Sequence, residues 1–167
     1  MPNGAFIPDQ RVEEYLAQLG LVFHPGRHPG TWLLPFHDPD EGTHTLVIME
    51  NGQANENFLS VFTTLTAMVG ARSSAEKALA LANGFVAVAK YVLIDDRVLV
   101  RSAILRGEGQ ICPEMLRNAV QVVLAAAKFI RPILQACLQG EDPEKAFERR
   151  VGEVTGTGFQ IGPPRGG

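Results

Sequence analysis

The chain has 167 residues, of which 46% are apolar and 20% charged, a balance typical of one folded globular domain rather than a disordered chain. Its net charge of -3 excludes the strongly basic surface that most nucleic-acid-binding proteins carry. Two cysteines, Cys112 and Cys137, are too few for a disulfide framework and favour a reducing compartment. The sequence shows no leader in which a basic region precedes an apolar run, and no uninterrupted apolar run of about 20 residues. We therefore expect a cytoplasmic protein outside the membrane.

The first predicted helix spans residues 9–19, where apolar side chains recur at helical spacing and acidic residues take the other side. Asp9 is its predicted N-cap, because its carboxylate can accept a hydrogen bond from a free N–H of the first turn. Gly20 follows and can adopt the left-handed conformation that commonly ends a helix.

A block rich in β-branched and aromatic residues runs from residue 21 to 69 and is punctuated by Pro and Gly turns. Pro35 cannot donate to a ladder, so its strand is predicted to lie at a sheet edge. Asn51-Gly52 predicts a hairpin turn. Both alternating sides of the last strand are apolar, so we expect both to be at least partly covered. The predicted strands are Thr31–Phe36, Thr43–Glu50 and Phe58–Met68.

The second predicted helix begins at a capping box, Ser73 to Glu76, with Ser73 as N-cap, and ends at Asn83-Gly84. A hairpin follows it, formed by two strand-like runs joined at Asp95-Asp96-Arg97. These runs are Val86–Ile94 and Val98–Leu105.

A long third helix is predicted from Pro113 to about Leu138, with a kink at Pro132 and an end at Gly140. Residues 1–140 are therefore predicted to form a single domain. Residues 141–167 are predicted to add a short charged helix and a flexible tail rich in Gly and Pro.

The order of elements predicts the fold class. It runs helix, three or four strands, helix, two strands, helix, so helices do not alternate one-for-one with strands. This order favours an α+β fold, with an antiparallel sheet made of a meander and a hairpin and three helices packed on it, over a doubly wound α/β fold.

No residue constellation predicts catalysis, a metal or a cofactor, and we expect a protein that is not an enzyme. Gly107-Glu108-Gly109 precedes a helix but lacks the third glycine and the Lys of a phosphate loop. Cys112 stands at a helix N-terminus without an identifiable His or Asn partner. The histidines have no partner ligands at metal-binding spacing and are predicted to be exposed loop residues. They are His24, His28, His37 and His44.

The third helix carries more apolar residues than one buried stripe needs. A first stripe faces the sheet, and a second one includes Val122, Phe129 and Ile133. That second stripe is covered either by other elements of the chain or by a subunit or client. A homodimer is slightly favoured because symmetric pairing is the commonest assembly.

The stretch from residue 75 to 134 carries a family resemblance, and it reads AEKALALANGFVAVAKYVLIDDRVLVRSAILRGEGQICPEMLRNAVQVVLAAAKFIRPIL. A helix with Asn83 near its end, a strand pair and a long helix that starts at Cys112-Pro113 resemble the YbjN family of small bacterial proteins. The same layout, over about residues 9–138, is similar to that of the dimeric type III secretion chaperones. This chain departs from those chaperones by being less acidic and by carrying the segment after Glu141.

The resemblance implies a bacterial, non-enzymatic role, either as a regulator linked to stress responses or as a dimeric chaperone that holds a protein client. A client strand would add to the Trp32–Phe36 edge by β-augmentation. The candidate interface residues are Trp32, Phe36, Val122, Phe129 and Ile133. The alternative is a sensor that holds a small ligand between sheet and helices. We expect no direct nucleic-acid binding, and the client could itself be a protein that binds nucleic acid.

Overall fold

The computed structural model describes residues 9–39, 42–53, 56–65, 72–105 and 111–156. Across them it has four helices and one sheet of six strands in the order β1-β2-β3-β4-β6-β5, with every neighbouring pair antiparallel. The α+β class is confirmed, and one helix comes in addition to the three predicted for the sheet. The helices are α1 (Arg11–Gln18), α2 (Arg72–Phe85), α3 (Pro113–Leu138) and α4 (Pro143–Thr155). The strands are β1 (His24–Pro25), β2 (Thr31–Asp38), β3 (Gly42–Gln53), β4 (Glu56–Leu65), β5 (Lys90–Ile94) and β6 (Arg97–Leu105).

The two faces of the sheet differ in what covers them. Residues paired across neighbouring strands share a face, and Trp32, Ile48 and Val61 form one such buried row. We call this side the helix face, because α3 packs on β4 and β6, α1 and α4 pack on α3, and α2 packs on α3 and β5. No described helix lies on the opposite side, which we call the open face.

Helix α1 ends as predicted and begins one residue later than an Asp9 cap would place it. Its N-cap is Gln10, and the Asp9 carboxylate accepts a hydrogen bond from the Arg11 N–H at 3.0 Å. Gly20, with φ +68°, takes the left-handed conformation after the last turn. The predicted contact therefore forms, although Asp9 is not the cap itself.

Both ends of helix α2 correct the prediction. The helix already includes Arg72, so Ser73 lies inside it, and Glu76 accepts from Arg72 Nε at 3.0 Å instead of closing a capping box. The helix also continues past Asn83-Gly84 to Phe85. The Asn83 amide is free to bond outside the helix because its side chain is not needed to end it.

Strand β3 passes straight through the predicted turn. Asn51 pairs with Phe58 and Gly52 with Asn57 in the ladder with β4. The turn dipeptide is overridden because the strands on either side keep pairing beyond it. The hairpin of β5 and β6 turns at Asp95, which has φ +53°.

Helix α3 runs to Leu138 as predicted, includes Pro132, and is followed by Gly140 with φ +89°. By length and composition it could cross a membrane, but 56% of its most apolar window is buried in the fold, as in a core helix. The charged segment after Gly140 forms α4, capped by the Asp142 carboxylate. The predicted Gly/Pro-rich tail after residue 156 and the Gly107–Gly109 turn lie outside the described residues.

Candidate functional site

The open face of the sheet is apolar across its centre. Alternation predicts polar side chains on a solvent-facing side of an antiparallel sheet. The central row here instead holds Leu33, Val47 and Phe62, each half-buried, and continues into Arg101 and Lys90. Other apolar side chains surround this row. They are Met49, Phe58, Val92, Ile94, Leu99 and Leu105.

Two further observations describe the open face. Ser60 lies on this face between Phe58 and Phe62 and is only 3% exposed, although no described helix covers it. The Arg101 guanidinium lies 5.5 Å from the centre of the Phe58 ring, which is a cation–π distance. Exposed apolar patches of this kind mark interaction sites in soluble proteins.

The β5 edge of the sheet is blocked at Tyr91 by a side chain. The Asn83 amide donates from Nδ2 to the Tyr91 carbonyl at 2.9 Å, and its Oδ1 accepts from the Tyr91 N–H at 2.8 Å. Asn83 thus occupies both edge groups that a further strand would need at this residue. A partner strand would have to displace it, so the geometry disfavours strand addition here.

The β2 edge is obstructed at two places. Gly26 N–H bonds to the Thr31 carbonyl at 2.7 Å, so β1 occupies the start of this edge. The Gly30 carbonyl accepts from Glu50 on the other side, so the odd-numbered residues of β2 direct their backbone groups outward. Pro35 is one of them and has no N–H to offer, which weakens pairing with an incoming strand.

A cleft of about 200 Å³ lies between the helix face and α3. Its polar centre is a contact of 3.1 Å between Arg131 Nη1 and His44 Nε2. A second contact of 3.5 Å joins Arg131 Nη2 to His44 Nδ1, so both ring nitrogens lie near the guanidinium. The Phe36 ring packs 5.4 Å from the His44 ring, centroid to centroid.

Charged groups of both signs line this cleft. Lys128 Nζ lies 3.8 Å from Asp38 Oδ2, a long ion pair, and Arg131 lies one helical turn further along α3. The Thr63 hydroxyl, 3% exposed, donates to the Thr45 carbonyl at 3.0 Å. Among the described residues that line the cleft, Lys128 and Arg131 are cations and Asp38 is an anion, beside apolar walls. Among the residues described there, no nucleophile is paired with a base.

The predicted interface residues are not brought together. Trp32 is 3% exposed and donates its indole N–H to Glu13 at 2.9 Å, and Ile133 is fully buried. Phe129 is 8% exposed and packs between Phe85 and Phe147. For these three side chains the intramolecular alternative is therefore the one observed.

The other two predicted interface residues keep some exposed surface, in different places. Phe36 is half-buried in the cleft beside His44. Val122 is half-buried in a shallow groove between α3 and β6, beside Met115 and Leu105, which are 40% and 79% exposed. A shared surface made of Trp32, Phe36, Val122, Phe129 and Ile133 does not exist in this fold.

His44 and Arg131 are the cleft residues that the sequence interpretation missed. His44 is half-buried on β3, contrary to the prediction of an exposed loop histidine. The alternation of Thr43–Glu50 puts His44 on the same side as Leu46 and Ile48, and this was the available signal. Arg131 stands one residue before Pro132 with no local sequence signal of its role.

Metal and thiol chemistry find no support in the described residues. No group of three or more His, Cys, Asp or Glu there is arranged to hold a metal ion. Cys137 is buried, and burial is the main cause that raises the pKa of its thiol. The nearby negative charges of Glu141 and Asp142 raise this pKa further. A raised pKa keeps the sulfur as the less reactive thiol.

Comparison with known proteins identifies the fold. No protein-family model matches the chain, and no curated protein matches it in sequence. The chain is similar to the crystal structure of YbjN from E. coli, described as a suggested transcription regulator, with a TM-score of 0.59 and 16% identity over 82% of this chain and 97% of that one. It is also similar to an uncharacterized protein from Methanothermobacter thermautotrophicus, with a TM-score of 0.52 and 14% identity over 75% and 95% of the two chains.

These likenesses support a YbjN-like fold. At this level of identity they show the shared architecture alone. The further likeness to the type III secretion chaperones stays a prediction from the sequence.

Proposed function

We propose that this protein is a non-enzymatic regulator or adaptor that acts by binding other proteins and works as a homodimer. One observation carries the proposal: the open face presents apolar side chains from five strands, while both sheet edges are partly blocked. A protein surface of this kind suits packing against another protein surface. YbjN, described as a suggested transcription regulator, has a similar fold and is compatible with a regulatory role.

The open face supports the homodimer of this proposal, in place of strand addition at the predicted edge. Strand addition at Trp32–Phe36 would meet β1 and the missing N–H of Pro35. Packing on the open face needs no backbone donors, because apolar side chains such as Val47 and Phe62 supply the contact.

Affinity capture of the tagged full-length protein from its own host, with partners identified by mass spectrometry, tests the adaptor function. We expect a reproducible, stoichiometric partner for the wild type and its loss for Phe62→Asp, because the dimer is the form that works as the adaptor. Gln121→Asp is the matched control, because Gln121 is exposed on α3, away from the open face. A capture that contains only the protein itself would contradict the adaptor function.

The cleft between the sheet and α3 favours a second candidate function, a sensor for a small ligand. A ligand that binds the folded state at 100 times its Kd adds about 2.7 kcal/mol of stability. A panel of carboxylate and phosphate metabolites should then raise the melting temperature of the wild type and not that of Arg131→Gln. Equal shifts in both proteins, or none in either, would contradict this second function.

A further inference from the structure

We propose that the open face is covered by the same face of a second copy, stacked sheet on sheet about a two-fold axis that runs along the strands between β3 and β4. The proposal rests on the homodimer of the proposed function and specifies its surface and symmetry. It commits to one occupant, and the reasons are the size of the face, its side-chain composition and the placement of its charges.

The size of the face suits a stable dimer. Five strands, β2 to β6, at about 4.8 Å spacing give the face a width of about 24 Å. A strand of eight residues gives it a length of about 27 Å. The projected area is therefore roughly 650 Å² per copy, before the relief of the side chains is counted. Stable protein interfaces bury about 800 Å² per partner, so this face alone is close to sufficient.

The composition of the face suits a sheet rather than a helix as its partner. Its apolar side chains come from five adjacent strands and form a broad, continuous surface rather than a groove. Two such surfaces pack at about 10 Å with strands aligned within about 30°, as in a β-sandwich. A second copy offers a matching surface of the same extent.

The charges determine the direction of the axis. Strands β1 to β4 contain no Lys or Arg, while β5 contains Lys90 and β6 contains Arg97 and Arg101. An axis along the strands places β5 and β6 of one copy over β1 and β2 of the other, so the cations meet no cation. An axis across the strands would stack Arg101 near its own copy, and like charges in contact destabilise an interface.

Sedimentation equilibrium of the purified full-length protein tests the dimer. We expect twice the monomer mass of 18.1 kDa for the wild type and for Gln121→Asp. We expect the dimer Kd to rise at least about 100-fold for Phe62→Asp, since each copy loses a large apolar side chain from the centre of the interface and places a carboxylate there. Met49→Lys is a second variant at a position already 37% exposed, so it should fold and should also weaken the dimer. A monomeric wild type, or dimers unchanged in both variants, would overturn the proposal.

Cross-linking tests the axis. In a Cys112→Ser background, with Cys137 protected by burial, a short bismaleimide should join Met49→Cys to its own copy, because Met49 lies beside the axis. It should not join Val92→Cys to its own copy, because β5 lies at the far edge of the sheet. A cross-linked Val92→Cys dimer, or an uncross-linked Met49→Cys, would overturn the proposed axis.

The two proposals fail separately. A monomeric protein that still captures a partner would remove the sheet-on-sheet dimer and leave the adaptor function in place. A dimer that Phe62→Asp dissociates, with no partner captured by the wild type, would support the dimer and remove the adaptor function.

Discussion

Val61 and Phe62 are neighbours on β4, yet they lie on opposite faces of the sheet and in different surroundings. Val61 is fully buried beneath the helices, while Phe62 stays half-buried in the central row of the open face. Both faces are apolar, so hydrophobicity alone does not tell which one the chain covers itself. The helix face therefore specifies the fold, whereas the open face carries apolar side chains that the described helices do not cover.

The largest expected effect comes from the same charge placed on the two faces. Val61→Asp should cost more than about 4 kcal/mol and leave the chain largely unfolded, because a carboxylate there is buried without a partner. Phe62→Asp should keep the folded circular-dichroism spectrum at room temperature. Equal loss of structure in both variants would contradict the distinction between the faces.

A milder pair of substitutions measures the difference in packing. Ile48→Ala should reduce the free energy of unfolding by about 2–5 kcal/mol, because it removes three carbons and leaves a cavity in a fully buried site. Val47→Ala, its neighbour on the open face, should cost under about 1.5 kcal/mol in the monomer. Urea unfolding at low protein concentration checks both values.

Removing the side chain that blocks the β5 edge should reduce the stability of the fold by a smaller amount. Asn83→Ala should cost about 1–3 kcal/mol, because the Tyr91 N–H and carbonyl lose their partner. Asn118→Ala is the control, since Asn118 is exposed on α3. Thermal unfolding of both variants measures the cost, and light scattering should show more aggregation for Asn83→Ala alone.

The smallest expected effect is the dependence of the stability of the fold on pH. The Tyr91 hydroxyl donates to the Ala126 carbonyl at 2.9 Å, and burial raises the pKa of Tyr91 well above its ordinary value of 10.0. The folded state therefore keeps the hydroxyl protonated. The stability that this hydroxyl contributes is complete below pH 10 and is lost as the pH rises above 10. Tyr91→Phe should cost about 1 kcal/mol at pH 8.

Melting temperatures measured from pH 8 to 11 check the sign of that effect. The wild type should lose stability above pH 10 more steeply than Tyr91→Phe, so the difference between them should narrow. A gap that stays constant across this range would contradict a role for Tyr91.

The sequence predicted the fold class because strand runs, turn residues and the long apolar helix are local patterns. The same locality explains the errors at Ser73 and Asn51-Gly52. A capping box and a turn dipeptide are preferences of a few residues, and here ladder pairing and the helix start took precedence over them.

The candidate site was harder to predict because it depends on contacts between distant residues. Phe129 and Ile133 were assigned to an apolar stripe that needed a cover, and the cover of Phe129 includes Phe147 of α4, from a segment predicted only as a short charged helix. His44 and Arg131 are 87 residues apart, and no spacing rule connects them. The open face could be anticipated only in part, from the alternation of Phe58 to Leu65.

The blocked edges and the apolar open face together limit how many copies can assemble. Growth by edge pairing is open-ended, because each added strand presents a new edge to the next molecule. Asn83 at one edge, and β1 with Pro35 at the other, disfavour that route to filaments. Stacking through a face consumes the face in a single step, so such an assembly ends at two copies however high the protein concentration rises.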